Sequence, residues 1–264
     1  MFLDAELHMA YKVGNVPFNM FPYPHYYLRD VFPEDFYQQI QKNIPDPQAM
    51  IPIEQARGLK GYDERFVLDI SKKGAADLPE DKREFWTSLH QWLVMKGNFG
   101  TLVFQKFKPF IEQRFAGRPN VEFYSEALLV QDITNYKLGP HTDADRKVVT
   151  MLFYLPADDS QKHMGTSIYV PNDPDFRCPG GPHYPRDGFA RLHTNPFLPN
   201  SMFAFFKTDN SFHGVEPVGD PGTKRWLLLY DIFYRETTPA PAPAPQKVTF
   251  NTDISVKPKV NFSF

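Results

Sequence analysis

The sequence predicts an α+β protein: helices first, then an antiparallel sandwich or jelly roll in which consecutive strands cross between two sheets. Three observations point there. Before residue 119 apolar residues recur at helical spacing. After Pro119, short β-branched and aromatic runs follow one another, divided by Gly, Pro, Asn and Asp. A hydrophobic fraction of 42% with 25 Phe and 13 Tyr in 264 residues is ample for a substantial core under such a sheet pair.

Taken in order, the first third is helical after an extended lead-in. In "PEDFYQQIQKNIP", Phe36, Ile40 and Ile44 recur every four residues between Pro33 and Pro45. In "DLPEDKREFWTSLHQWLVMKG", Asp77 and Glu80 have capping-box spacing. Phe85, Trp86, Leu89, Trp92 and Leu93 form one apolar face, and Gly97 serves as the C-terminal cap. His90 lies beside that face as a surface or packing residue. A third helix covers part of "TLVFQKFKPFIEQRF" and is interrupted or begun near Pro109. The strands expected afterwards are "EALLVQDITNY", "VVTMLFYLP", "TSIYV", "SMFAFFK" and "RWLLLYDIFY". Between Val170 and Pro199 runs a long segment rich in Pro, Gly, His and Arg, and loops of that length are functional or disordered. "TTPAPAPAPQ" reads as an extended polyproline-like linker. The expected organisation is one domain over 1–237 (1–119 mainly helical, 120–237 sheet core), with 238–264 a Pro/Ala linker and tail.

Composition narrows the function. A net charge of −2 supplies no basic field for nucleic acid or an anionic membrane surface. The single cysteine, Cys178, cannot form an intramolecular disulfide, which favours a reducing compartment. The N-terminus lacks the basic and long apolar regions of a signal peptide, and no apolar run approaches membrane-spanning length. A soluble cytoplasmic protein acting on a small molecule is expected; the oligomeric state is not legible.

The chemistry gathers around "YKLGPHTDADRKVVTMLFYLP". In a chain with eight histidines and many acidic residues, one His-x-acid match arises by chance, so His141-Thr142-Asp143 needs a third partner. On a strand, residues two apart face one side and can reach one ion. His213, in "FFKTDNSFHGVEPV", follows an apolar run and supplies the second imidazole. Two histidines and a carboxylate suit non-haem Fe(II) with coordination positions left open, although zinc takes the same ligands.

The ordered set of His141, Asp143, His213 and Arg225 on successive strands resembles the Fe(II)/2-oxoglutarate-dependent oxygenases, in particular their prolyl-hydroxylase-like branch, over about Ala127 to Tyr234. The resemblance implies a double-stranded β-helix (jelly-roll/cupin-like) core with the N-terminal helices packed on one sheet. It implies that His141, Asp143 and His213 hold iron, that Arg225 pairs with the distal carboxylate of 2-oxoglutarate, that Tyr154 helps bind that carboxylate, and that Tyr136 lines the cosubstrate pocket. Lys224 is the rival for the anion, but alternation sends 224 and 225 to opposite faces. Tyr154 and Tyr136 also read simply as core aromatics. The last strand carries Arg225-Trp226-Leu227 instead of Arg-x-Ser, which disfavours the plant and isopenicillin type. Asp143 is present where halogenases have a small residue.

The expected cofactors are Fe(II), 2-oxoglutarate as cosubstrate and O2, with ascorbate as a stimulant. The expected reaction is hydroxylation of an unactivated C–H bond in a small-molecule or sugar-like substrate, releasing succinate and CO2. Three alternatives stand beside it: a prolyl or other protein side-chain hydroxylase, a non-catalytic jelly-roll binding protein, and a zinc hydrolase with Glu216 as base. Arg177, Arg186 and Arg191 are weak candidates for contacting substrate from a 170–199 lid. His163, His183 and His193 read as surface or substrate-adjacent.

Overall fold

The computed structural model describes residues 2–96, 98–118, 120–219 and 221–237. The Gly97 cap and the linker and tail from 238 onward lie outside the described residues. Two sheets face each other. The larger has the order β1 (His25–Arg29), β9 (Ser201–Phe206), β6 (Lys147–Tyr154), β11 (Lys224–Glu236), β4 (Val121–Ile133), β3 (Arg65–Asp69), β2 (Ile51–Pro52). The smaller runs β5 (Leu138–His141), β10 (His213–Val215), β7 (Thr166–Pro171), β8 (Phe189–Thr194). Every pairing is antiparallel. From β4 onward the chain steps between the two sheets, staying within one only at the β7–β8 hairpin. That gives a double-stranded β-helix of four strands against four, widened at the larger sheet's edges by β1, β2 and β3.

Period-two alternation sorts the side chains of the large sheet. Leu129, Met151, Phe153, Leu228 and Tyr230 face outward into a core built with the helices. Val130, Tyr154, Phe203, Phe205 and Leu227 face the small sheet. The outer core is closed by α1 (Phe2–Asn15), α2 (Glu34–Lys42), α4 (Glu80–His90) and α5 (Asn98–Arg114), with the short α3 (Ile53–Arg57) beside β2. Trp86 on α4 is fully buried, its indole N–H donating to the Asn43 carbonyl at 2.7 Å; truncation of such a side chain costs about 3–5 kcal/mol.

Several local expectations are corrected. The N-terminal stretch is a helix, α1, because Ala5, Met9 and Val13 repeat at four-residue spacing and bury that edge. Asp77 does not cap α4: Pro79 occupies the N-cap position without a side-chain hydrogen bond. Helix α5 runs straight through Pro109, which sits on its exposed side, where the carbonyl freed by the missing N–H can meet water. The 170–199 segment contains β8, and it lays Phe176, Tyr184 and Phe189 over the outer face of the small sheet against Tyr169 and Phe212. Among the described residues no helix is long and apolar enough to cross a membrane.

Candidate metal centre

Antiparallel pairing of β5 with β10 sets His141 directly opposite His213, with ring centroids 4.3 Å apart. His141 Nδ1 faces the Gly139 carbonyl at 3.0 Å, and His213 Nδ1 faces the Ser211 carbonyl at 2.9 Å. A carbonyl only accepts, so each Nδ1 carries the proton and each Nε2 offers a lone pair to the shared centre. Burial lowers the pKa of both rings, and for His141 the neighbouring His213 adds to it. Both are neutral donors near neutral pH.

Asp143 lies just past the end of β5, so strand alternation does not place it; a turn does. Lys147 N–H closes that turn on the Ala144 carbonyl at 2.9 Å, and the Thr142 hydroxyl donates to the Cys178 carbonyl at 2.8 Å. Gly180, at φ +144, presses on the same backbone: a Cβ there would come within 2.9 Å of the Asp143 carbonyl. Asp143 Oδ1 ends 4.0 Å from His141 Nε2 and 3.9 Å from His213 Nε2. The three donor atoms lie within 4.8 Å of one another. Oδ2 accepts the Thr150 hydroxyl at 2.7 Å. Burial would raise the Asp143 pKa, but Lys147 and the two imidazoles outweigh it and hold the carboxyl below the usual range. Two neutral imidazoles and one carboxylate, each oriented from behind, could hold a divalent cation and leave positions open.

Lys147, which the sequence reading passed over, is partly buried here, its side chain 16% exposed. Its Nζ lies 3.5 Å from Asp143 Oδ1 and 3.0 Å from Asp231 Oδ1. An inner pocket of about 70 Å³ runs from the three ligands past Thr166 to Arg65 and Arg225. It shares His141, Asp143, Lys147, Arg65, Leu138 and Leu229 with an outer cleft of about 500 Å³ lined also by Tyr62, Arg57, Arg146 and His183. A groove of about 800 Å³ along α1 and α4 is larger but brings no comparable ligand set together.

Arg225 is buried and lines the inner pocket, whereas Lys224 is exposed. The guanidinium is already engaged: Nη1 donates to Asp132 Oδ2 at 2.6 Å and Nε to the Met164 carbonyl at 2.7 Å. Tyr154 does not line the pocket. Its hydroxyl donates to Thr166 Oγ1 at 2.8 Å and accepts the Thr166 N–H, so it orients a pocket residue from behind. Tyr136 is buried behind Arg65, whose guanidinium lies 4.5 Å from its ring centroid.

The loop arginines do not reach either cavity. Arg177 donates to the Pro174 and Phe176 carbonyls, and Arg186 and Arg191 pair with Glu216 at 3.5 Å. Glu216 also takes hydrogen bonds from Ser167 and Tyr169. Ser167 and Tyr169 alternate with the inward-facing Thr166 and Ile168, so Glu216 is on the outer face of the small sheet and is no base for a metal-bound water. The 170–199 segment reaches the cleft through Gly180, Gly181 and His183. The His183 ring lies 4.5 Å from that of His141, and its Nε2 is 2.8 Å from the Tyr62 hydroxyl.

No protein-family model matches the chain, and no curated protein matches it. Among solved structures it is similar to a Pseudomonas putida prolyl-4-hydroxylase, with 14% identity, coverage of 86% of this chain and 99% of that one, and TM-score 0.45. A prolyl hydroxylase from Trichoplax adhaerens, in complex with a hypoxia-inducible-factor oxygen-degradation-domain peptide, gives 12%, 86% and 88%, and 0.46. HygX from Streptomyces hygroscopicus, with nickel and 2-oxoglutarate bound, gives 9%, 79% and 82%, and 0.42. Likenesses this distant carry no chemistry.

Proposed function

We propose that the chain is an Fe(II)- and 2-oxoglutarate-dependent dioxygenase that hydroxylates an unactivated C–H bond of a small-molecule or sugar-like substrate. The observation that carries this is the junction of two groups inside one barrel: a His-Asp-His ligand set and, along the same pocket, guanidinium groups suited to a carboxylate. Bound there, iron and 2-oxoglutarate would supply the oxidation, with succinate and CO2 as coproducts and oxygen entering the substrate.

The protein's own part is positional. His141, His213 and Asp143 would hold the metal; Thr150 fixes the carboxylate, and the backbone carbonyls fix the rings. The pocket's arginines would orient the diacid, and the apolar strand residues Leu138, Leu227 and Leu229 keep water from its walls. The outer cleft has the size of a small-ligand site, typically about 300–1,000 Å³. Its mix of Tyr62, Arg57, Glu126 and His183 with Ile53, Leu59 and Phe233 suits a polyhydroxylated ring with one apolar face. The zinc-hydrolase alternative loses its base, since Glu216 is committed on the outer face.

The test supplies Fe(II), 2-oxoglutarate and ascorbate under air and measures succinate. Succinate production above that of a His141→Ala control supports the proposal, with uncoupled turnover sufficing. Equal background in both proteins contradicts it.

A further inference from the structure

Resting on the proposed function for its metal site alone, we infer that Arg186 is a positioning residue. From outside the barrel it ties β5 to β10 where their ladder is irregular, and so fixes the spacing of His141 and His213. The irregularity is plain in the register. His213 stands opposite His141, but Val215, two residues on, stands opposite Leu138, three residues before His141. One residue of β5 is therefore extra, and Pro140 in that stretch has no N–H to give to the ladder. A bulge of this kind disrupts the hydrogen bonds that would otherwise hold the two strands together.

Arg186 supplies what the ladder lacks. Its Nη2 donates to the Leu138 carbonyl on β5 at 3.2 Å and to the Val215 carbonyl on β10 at 2.8 Å. One side-chain nitrogen thus spans both strands in place of a backbone rung. Glu216 aims the guanidinium, its Oε2 lying 3.5 Å from Nε. Glu216 is held in turn by Ser167 and Tyr169 on β7, so the tie reaches three of the four strands of the small sheet. Tyr184, two residues before Arg186, works in the same direction. Its N–H donates to the Pro140 carbonyl at 2.8 Å, and a Cβ on Gly139 would come within 2.6 Å of its carbonyl, so this run lies flat on β5. The effect reaches the metal centre because β5 and β10 are only a few residues long, and each carries its histidine at one end. Two rings with centroids 4.3 Å apart can share an ion only if the strands beneath them do not spread. A working site tolerates about 0.5 Å of error. Arg186 and Glu216, which touch neither cavity's metal ligands, thereby acquire a common purpose.

Arg186→Met keeps the apolar stem and removes every donor. Mn(II) affinity is measured by isothermal titration calorimetry, and the visible absorption of the Co(II)-loaded protein reports the geometry of its ligands. Arg186→Met is expected to bind Mn(II) about 10–100-fold more weakly than the native protein and to shift the Co(II) bands. Arg186→Lys, whose ammonium has three protons to share between the two carbonyls, is expected to recover most of the affinity. Arg191→Met removes the other cation on Glu216 and leaves the Leu138 and Val215 carbonyls served, so native-like affinity is expected. Unchanged Mn(II) affinity in Arg186→Met overturns the inference. Weaker binding with unchanged Co(II) bands does so too, because it marks a general loss of stability with the ligands still in place. A lysine variant as weak as Arg186→Met, or an Arg191→Met variant weakened as much, also overturns it. If Arg186→Met does not fold by circular dichroism, Arg186→Gln, whose shorter amide cannot span both carbonyls, is expected to bind Mn(II) several-fold more weakly; equal binding overturns the inference. Native protein that takes no Mn(II) overturns the proposed function as well, and this is seen before any variant is made.

Discussion

Asp143 has two oxygens with separate duties: Oδ1 faces the two imidazoles, and Oδ2 is held by the Thr150 hydroxyl. The hydroxyl selects the rotamer that presents Oδ1 to the centre. Thr150→Val keeps the shape and removes the donor, so Mn(II) affinity should fall about 10–100-fold while the folded protein stays intact. Calorimetric metal titration checks this, and an unchanged affinity would show that the turn alone sets the carboxylate. At this scale the ligands His141, Asp143 and His213 were legible because each residue type has an intrinsic donor chemistry and because they fell in order between apolar runs. Arg65, Asp132 and Lys147 were not. A buried ion pair looks like a surface charge until register shows which residues stand opposite, and "DERFVLDI" reads as well for a polar segment as for an edge strand.

Strands determine which ligands meet. The β5–β10 pair opposes His141 to His213, and it can do so because Gly214 lets the two backbones close: a Cβ there would meet the Leu138 carbonyl at 2.5 Å and Tyr169 at 3.1 Å. Gly214→Ala must push β10 away from β5. It should cost about 1–3 kcal/mol and weaken metal binding together, measured by chemical denaturation and by Mn(II) titration. A loss of stability with native metal affinity would show that the histidines are placed by something other than this pairing. Strands β4, β6, β7, β9 and β11 could be read from their apolar runs. Strands β5, β8 and β10 could not, because Leu138–His141 and His213–Val215 are too short for periodicity to register and the middle of β8 is exposed on both faces. Strands β1, β2 and β3 were hidden within a part of the chain that otherwise reads as helical.

Across the whole molecule, five of the eight histidines, His25, His90, His141, His183 and His213, have pKa values lowered mainly by burial. In the unfolded chain each titrates near its ordinary value of about 6.5, so below that pH the unfolded state binds more protons than the folded one. Their contribution to stability is present above that pH and is lost as pH falls through the depressed folded values. Within that window the deeply buried His141 and His213 can each remove up to about 1.4 kcal/mol per pH unit, and the half-buried rings less because solvent screens them. The melting temperature of the metal-free protein should therefore fall between pH 7 and pH 5, and a flat profile would contradict the burial of these rings. An antiparallel sandwich or jelly roll was readable at this scale, because many short aromatic strands after a helical start leave few ways to bury both sheet faces, and its closure as a double-stranded β-helix was legible only through the family resemblance.

The most direct measurement is anomalous diffraction at the iron edge from crystals grown anaerobically with Fe(II) and 2-oxoglutarate. An iron peak bonded to His141 Nε2, His213 Nε2 and Asp143 Oδ1, with the diacid's far carboxylate in the pocket shared by Arg65 and Arg225, is the predicted result. Iron elsewhere, or the diacid outside that pocket, would contradict the account.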